Sequence, residues 1–294
     1  MEYLETTFED PAIREMLQMM FGYILSGSTH LNVGFFLIGK GGDGKSVAAH
    51  ILRKLIGESN TCCLPFSEMG SKFTSYMLSQ NLLNLVEELP VNSELRAIAD
   101  CEKTYKMVTD GAIIPTERKN VDPGCAKATA RCVFLANGMP NFTDKSDGLW
   151  DRIVLIPFDH RFRDSDEEKP NLKYDLEEEL PGILNWAIAG GQKLQNVKRF
   201  PIPYSVQARM KQHRRLCNHE EDFFEERLIL DPESYVPKSV LYSVYSNWMQ
   251  ESGYKPLGKS KFNTLLQDYY KDAIREDRIR HPQDILIWRG INFN

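Results

Sequence analysis

Short β-rich apolar runs alternate with stretches whose apolar residues recur every three or four positions through the first two hundred residues. This is the pattern of strands separated by helices. Val33–Ile38, Asn81–Leu89, Arg131–Ala136 and Ile153–Phe158 each predict a strand. Between the first two, Val47, Ile51, Leu52, Leu55 and Ile56 share one helical face, with Gly57 as a stop signal. A mainly parallel α/β sheet is the fold class this alternation favours. The pattern changes after Phe200-Pro201-Ile202-Pro203-Tyr204, which reads as a proline-interrupted linker. Val240, Leu241, Val244, Tyr245, Trp248 and Met249 predict one helix, stopped by Gly253. Phe262, Leu265, Leu266 and Tyr269 predict a second, capped by Ser260. Two β-like segments, Ile274–Arg280 and Ile285–Trp288, follow and are joined by His281–Asp284. Helix, helix, hairpin suggests a winged-helix-like domain whose aromatic stripe is core. The expected division is 1–30 lead-in, 31–200 main domain, 201–221 basic linker or helix and 222–294 winged-helix-like domain.

With 294 residues, 42% hydrophobic and 26% charged, the chain has the composition of a globular protein with a sizeable core. Its formal charge of −5 argues against a protein that coats nucleic acid by bulk charge. The distribution is uneven, however: acids gather at 164–179 and 220–226, whereas 198–215 contains Lys198, Arg199, Arg209, Lys211, Arg214 and Arg215 and no acid. That basic stretch is a candidate DNA or interface surface, or a plain basic helix face; the acidic stretches read as solvated faces. No apolar stretch approaches the roughly 20 residues of a membrane span, and the acidic N-terminus lacks a signal core. A cytoplasmic location, with no membrane partner, is therefore expected. Six cysteines form no C-x-x-C pair and no zinc spacing, so free thiols and no structural metal are expected.

Candidate chemistry centres on residues 39–46, Gly39-Lys40-Gly41-Gly42-Asp43-Gly44-Lys45-Ser46, which fit G-x-x-x-x-G-K-[ST] throughout. The motif follows a predicted strand and opens a predicted helix at Val47, the context that phosphate binding requires. Glycines let successive N–H groups turn inward around phosphates, and the new helix adds its positive end. Lys45 is suited to the β- and γ-phosphates and the Ser46 hydroxyl to Mg²⁺, so ATP and Mg²⁺ are the implied cofactors.

Hydrolysis also needs a carboxylate near the metal and a group that activates water. The apolar strand predicted within Asn81–Leu89 ends in two acids, Glu87 and Glu88, which a parallel sheet would put at its C-terminal edge. Glu87 reads as the Mg²⁺-side carboxylate and Glu88 as the base, with the reverse order open. Asn137, after the Arg131–Ala136 strand, is suited to the attacking water or the γ-phosphate, although Asn-Gly is also an ordinary turn signal. Arg152, just before the last strand, carries a planar guanidinium that could reach a phosphate of its own or a neighbouring subunit.

In order and spacing, these elements resemble the superfamily 3 helicases, in particular the helicase portion of the phage, plasmid and poxvirus primase–helicase family. Met16–Gly27 is similar to that family's helical lead-in, and Leu180–Ala187 with Gly190 to the helix that closes the ATPase. Tyr105–Gly111 through Pro115-Thr116-Glu117-Arg118-Lys119-Asn120 resembles a segment ending in a DNA-binding hairpin. Gly148–Arg152 through Phe158 resembles the arginine-finger region. The resemblance implies an AAA+-like ATPase that forms a ring, a homo-hexamer, and translocates on single-stranded DNA. Arg118 and Lys119 would grip phosphates without regard to sequence. It also implies a partner primase or primase–polymerase domain or protein, and duplex or origin DNA as a partner of the C-terminal domain. Two departures stand out. The family often has Asn where Asp43 stands, and many relatives have a double arginine where this chain has Asp151-Arg152, which leaves Arg161 and Arg163 as alternative fingers.

The leading reading is an ATP-dependent DNA helicase acting in replication of a phage or mobile element. Alternatives are an ATP-dependent origin-binding or loading protein without unwinding activity, and a P-loop small-molecule kinase, for which no lid or acceptor site is recognisable.

Overall fold

The computed structural model describes residues 2–89, 95–140, 142, 144, 146–216, 219–280 and 284–294. Two compact units divide the chain, Met1–Lys211 and Gln212–Asn294. In chain order the strands of the first unit are β1 (Gly34–Ile38), β2 (Thr61–Cys62), β3 (Leu83–Val86), β4 (Ile113–Arg118), β5 (Val121–Lys127), β6 (Arg131–Ala136) and β7 (Ile153–Pro157). Five of them form one sheet in the order β2-β3-β6-β1-β7, with every pairing parallel. All residues of β3, β6 and β7 are buried, Asn84 and Arg131 among them, which accounts for their mostly apolar runs: helices cover both faces of a parallel sheet. All four predicted strands are present. The two-residue β2 gave no periodic signal.

Helix Pro11–Ser26 begins with Pro11 after Asp10, whose side chain accepts the Ala12 N–H at 2.9 Å, and ends at Gly27 in the left-handed region. Its partner is helix Leu180–Lys193, and their backbones nearly touch. A Cβ on Gly22 would lie 2.1 Å from the Gly191 nitrogen, and one on Gly190 would lie 2.2 Å from the Gln18 carbonyl oxygen. Across the same contact the Gln18 side-chain amide donates to the Trp186 carbonyl at 2.8 Å. The expected lead-in is thus an integral layer of the first unit.

Strands β4 and β5 form a separate antiparallel hairpin that turns at Lys119-Asn120, with Asn120 at φ 63°. The Ala128 N–H donates to the Ala112 carbonyl at 3.0 Å, and the Arg131 N–H to the Leu82 carbonyl at 2.8 Å. The hairpin therefore leaves the sheet beside the start of β6, at the N-terminal edge.

The second unit holds helices His219–Arg227, Lys238–Glu251 and Lys259–Tyr270 with strands β8 (Leu228–Pro237), β9 (Arg275–Ile279) and β10 (Ile285–Phe293). These strands form an antiparallel sheet in the order β8-β10-β9. A lone terminal hairpin was expected; β8 makes it a three-stranded sheet, and β10 runs on to Phe293. Strand β8 carries Pro232 and Pro237, which argue against a strand unless it lies at an edge, as this one does. Its register with β10 jumps from Tyr235–Arg289 to Asp231–Gly290, and Gly290 takes φ 91° at the irregularity. Of the aromatic stripe, Tyr245 and Phe262 are fully buried core, joined there by Phe223, Phe224 and Trp288, whereas Trp248 is half-buried and Tyr269 exposed. Gly258, not Ser260, is the N-cap of the second predicted helix. The linking residues His281, Pro282 and Gln283 lie outside the described residues, as does Cys217. Cys62, Cys63, Cys101, Cys125 and Cys132 are free thiols. Among the described residues no helix is long and apolar enough to cross a membrane.

The close helix pair makes a contrast that melting curves would read. Gly22→Ala and Gly190→Ala should each destabilise by about 2 kcal/mol or more, because backbone must move to admit a methyl group. Gly182→Ala lies on the same helix with nothing within 4 Å of the new Cβ, and should stabilise by about 0.5–1 kcal/mol.

Candidate functional site

The loop after β1 is built on left-handed glycines, with Gly41 at φ 95°, Gly42 at 67° and Gly44 at 91°. Side chains at these positions would strain the backbone. Helix Lys45–Ile56 begins at once behind Gly44, so its unpaired N–H groups face the loop. The donors converge on an anion that the loop itself supplies. The Asp43 carboxylate accepts the Gly41 N–H at 3.1 Å and the Lys45 N–H at 3.3 Å, and it is ion-paired with the Lys45 ammonium. Lys45 also donates to the Gly39 carbonyl at 2.8 Å, and both charged side chains are buried. A loop that gathers two backbone N–H groups and an ammonium around one carboxylate has the donor set a phosphate group requires. The predicted nucleotide residues Gly39 through Val47 thus form one structural unit, and they fit a nucleoside phosphate.

A cavity of about 700 Å³ opens beside this loop. Its wall includes Gly42, Asp43, Gly44, Ser46 and Val47 from the loop and helix, Tyr3 from helix Glu2–Thr7, and Phe162, Arg163, Leu172 and Leu176 from beyond β7. Tyr3 is anchored to the loop, its hydroxyl donating to the Gly44 carbonyl at 2.9 Å; burial pushes its phenol up. The Phe162 N–H donates to the Gly42 carbonyl at 2.8 Å and the Arg163 N–H to the same oxygen at 3.2 Å. The acids Asp166, Glu167, Glu168, Asp175 and Glu179, expected only as a solvated face, are exposed but rim this cavity. Sequence reasoning missed Tyr3, Phe162, Leu172 and Leu176, because residues so far apart in the chain carry no shared motif.

Glu87 and Glu88 follow β3 at the C-terminal edge of the sheet, and the Leu89 N–H donates to the Leu135 carbonyl of β6 at 2.9 Å. Both side chains are exposed. Glu87 is ion-paired with Arg53 from the last turn of the loop's own helix, which ties the acidic pair to that helix. Asn137 follows β6 directly. Ala136 pairs with Ile38, and its carbonyl accepts the Gly39 N–H at 3.1 Å, so Asn137 stands beside the start of the loop. The structure brings Lys45, Ser46, Glu87, Glu88 and Asn137 to one edge.

Arg152 lies at the other edge. Gly34 pairs with Ile153 and Ile38 with Pro157, so the length of β1, roughly 16 Å at 3.3 Å per residue, separates Arg152 from the loop. This exceeds the reach of a side chain. Of the alternatives, Arg163 lines the cavity, with its Cβ 2.4 Å from the position a Gly42 Cβ would take, and Arg161 pairs with Asp164 at 3.2 Å. The hairpin shares the Arg152 edge. Lys119 at its turn is exposed, whereas the Arg118 side chain lies outside the described residues. The first strand of the hairpin is held along its length by the Ser75 hydroxyl, which donates to the Pro115 carbonyl at 3.0 Å, and nearer the turn by Lys72 with Glu117 at 3.3 Å. In the basic stretch, Arg209 is engaged by Asp159 through two contacts of 2.9 Å.

Residues 37–152, which span the phosphate loop, the acidic pair, the hairpin and Arg152, match a family of unknown function (DUF5906). Residues 221–285 match a family described as poxvirus D5 protein-like. "Putative helicase 121R" of Invertebrate iridescent virus 3 is 20% identical over 306 aligned positions, which cover 91% of this chain and 32% of that protein. "Putative helicase L207/L206" of Acanthamoeba polyphaga mimivirus is 24% identical over 194, covering 63% of this chain and 19% of that one. The chain thus spans 32% and 19% of the lengths of these two relatives. The apo structure of the NrS-1 C-terminal region (305–718) superposes with a TM-score of 0.61 at 14% identity, over 99% of this chain and 74% of that one. A second structure of that region, the A form, gives 0.57 at 12%. At these identities the superpositions establish a shared fold. The resemblance to helicases, carried first by the motifs, recurs in two relatives described as putative helicases and in the poxvirus D5-like match of the C-terminal residues.

The Asp43–Lys45 pair predicts an unusual variant. Asp43→Asn keeps an acceptor for the loop N–H groups but strips Lys45 of its counter-charge. The ligand-free protein should lose about 1–3 kcal/mol of stability, and ADP should bind roughly tenfold tighter, since phosphate then supplies the missing anion. Calorimetric titration would check it; weaker binding would mean that the carboxylate builds the loop and does not compete for Lys45.

Proposed function

We propose that this chain is the ATP-hydrolysing motor segment of a DNA helicase that translocates on single-stranded DNA during replication of a phage, virus or other mobile element. The observation that supports it best is the division of parts between the two edges of one parallel sheet. The phosphate loop, acidic pair and Asn137 occupy one edge; Arg152 and the β4–β5 hairpin occupy the other. Arg152 cannot serve its own loop, and in a ring of like subunits the Arg152 edge of one copy would face the loop of the next. A head-to-tail interface that closes on itself gives such a ring, and we propose a homo-hexamer.

In this reading the fold is an AAA+-like ATPase over residues 31–200, preceded by the lead-in and followed by the linker and a winged-helix-like domain at 222–294. Bound ATP with Mg²⁺ would supply the transferable phosphoryl group. Lys45 would neutralise phosphate charge, Ser46 and Glu87 would hold the metal side, and Glu88 would accept a proton from the attacking water, which Asn137 orients. Arg152 of the adjacent subunit would offset charge developing on the transferred group. Tyr3, Phe162, Leu172 and Leu176 would seat the base in the adjoining cavity. Arg118 and Lys119 would contact backbone phosphates, so that the motor ignores base sequence. Duplex or origin DNA at the C-terminal unit, and a primase or primase–polymerase partner, complete the proposal.

Hydrolysis measured with and without single-stranded DNA tests this. Wild type should be stimulated by DNA, and Lys45→Ala should lose about a hundredfold or more of the stimulated rate, as loss of a phosphate-charge stabiliser predicts. Hydrolysis indifferent to DNA would contradict a motor, and phosphate transfer to a small acceptor would point to a kinase.

A further inference from the structure

Arg152 has a fixed root and an engaged tip. Its carbonyl oxygen accepts the Tyr105 hydroxyl at 2.7 Å and the Gly34 N–H at 2.9 Å, which locks the backbone to the sheet and to helix Leu95–Thr109. Its guanidinium is gripped by Asp110, Nε donating to Oδ1 at 3.0 Å and Nη2 to Oδ1 and Oδ2 at 2.9 Å each. Nη1 donates to the Gly148 carbonyl. The fork that would clamp a phosphate is therefore already filled by a carboxylate, which also cancels most of its charge. Both side chains keep some solvent exposure, 21% for Arg152 and 36% for Asp110, so the grip is exchangeable.

Asp110 occupies a joint. Its N–H donates to the Lys106 carbonyl at 3.1 Å at the end of the helix, and Gly111 follows at φ 62°. A Cβ there would lie 2.6 Å from the Thr29 methyl carbon. Ala112 donates to Met107 at 2.9 Å and accepts from Ala128 at 3.0 Å, and β4 begins at Ile113. The chain therefore passes from the carboxylate that holds Arg152 to the first strand of the hairpin within three residues, through a tightly packed turn. The backbone thus joins the first strand of the hairpin directly to the carboxylate that holds Arg152.

We infer that Asp110 is a positioning residue that holds Arg152 in reserve and releases it when single-stranded DNA moves the β4–β5 hairpin. DNA bound by one subunit would thereby switch on hydrolysis at the loop of the next. This rests on the proposed trans role of Arg152, and it adds a cause for stimulation by DNA: the guanidinium regains its charge and its donors only when the carboxylate lets go.

Hydrolysis by the full chain, with and without single-stranded DNA, tests it. Asp110→Asn should hydrolyse about fivefold faster than wild type without DNA and equal it at saturating DNA, so the stimulation shrinks. Asp110→Glu, which keeps the carboxylate, should retain the wild-type dependence, and Asp110→Asn with Arg152→Ala should be as inactive as Arg152→Ala alone. A role that is merely structural would lower both rates together. If wild type is stimulated and Arg152→Ala abolishes that, but Asp110→Asn behaves as wild type or Asp110→Glu matches Asp110→Asn, the reserve role is wrong and the motor reading stands. Full DNA-stimulated activity in Arg152→Ala would overturn the inference with the finger role, leaving Lys45→Ala to judge the motor.

Discussion

Parallel pairing of β1 with its two neighbours is the constraint from which the rest of the first unit follows. Ile38 is level with Ala136 and Pro157, and Gly34 with Ile153. Because all three strands point the same way, whatever follows them meets at one edge and whatever precedes them meets at the other. The loop glycines and Asn137 follow; Arg152 and the root of the hairpin precede. A slip of β6 by one residue against β1 would turn the side chains of β6 to the opposite face and shift Asn137 relative to the loop. Close packing of Gly22 and Gly190 across the helix pair holds the layer over the sheet, and helix Glu2–Thr7 brings Tyr3 to Gly44.

Charge is handled at both edges by the same means. Asp43 satisfies Lys45 within the loop, and Asp110 satisfies Arg152 at the opposite edge. Each cation that the proposed chemistry needs is paired with a carboxylate from its own subunit. The two pairs differ in burial. Lys45 and Asp43 are enclosed, so breaking that pair without replacing the anion is expensive, whereas Arg152 and Asp110 reach solvent. In the proposed function phosphate would replace the carboxylate in both places, so that each pair would compete with the ligand as well as brace the fold.

Much of this was legible in the sequence. Glycine spacing before Lys45 could serve few purposes other than an anion cradle, and the mostly apolar runs around β3, β6 and β7 implied strands. Asn137 and the acidic pair followed from the strand ends. Strand β8 was not legible, because its prolines are tolerable only at an edge and edge position is a tertiary fact. The two-residue β2 had no period to read. The cavity wall combines residue 3 with residues 162 to 176, and the Asp110–Arg152 grip spans forty-two positions, so neither leaves a local pattern. Arg152 was recognisable as a candidate, but its distance from the loop and its engagement by Asp110 belong to the fold.

With Arg152 separated from its own loop by the length of β1, the finger role we propose for it requires a catalytic site completed between copies. Hydrolysis by a mixture of Lys45→Ala and Arg152→Ala chains with single-stranded DNA tests this directly. Each variant alone should be inactive. In a mixed ring, about a quarter of the interfaces join an intact loop to an intact arginine, so the mixture should regain activity that neither possesses. A mixture as inactive as its components, from chains that demonstrably co-assemble, would contradict a shared site.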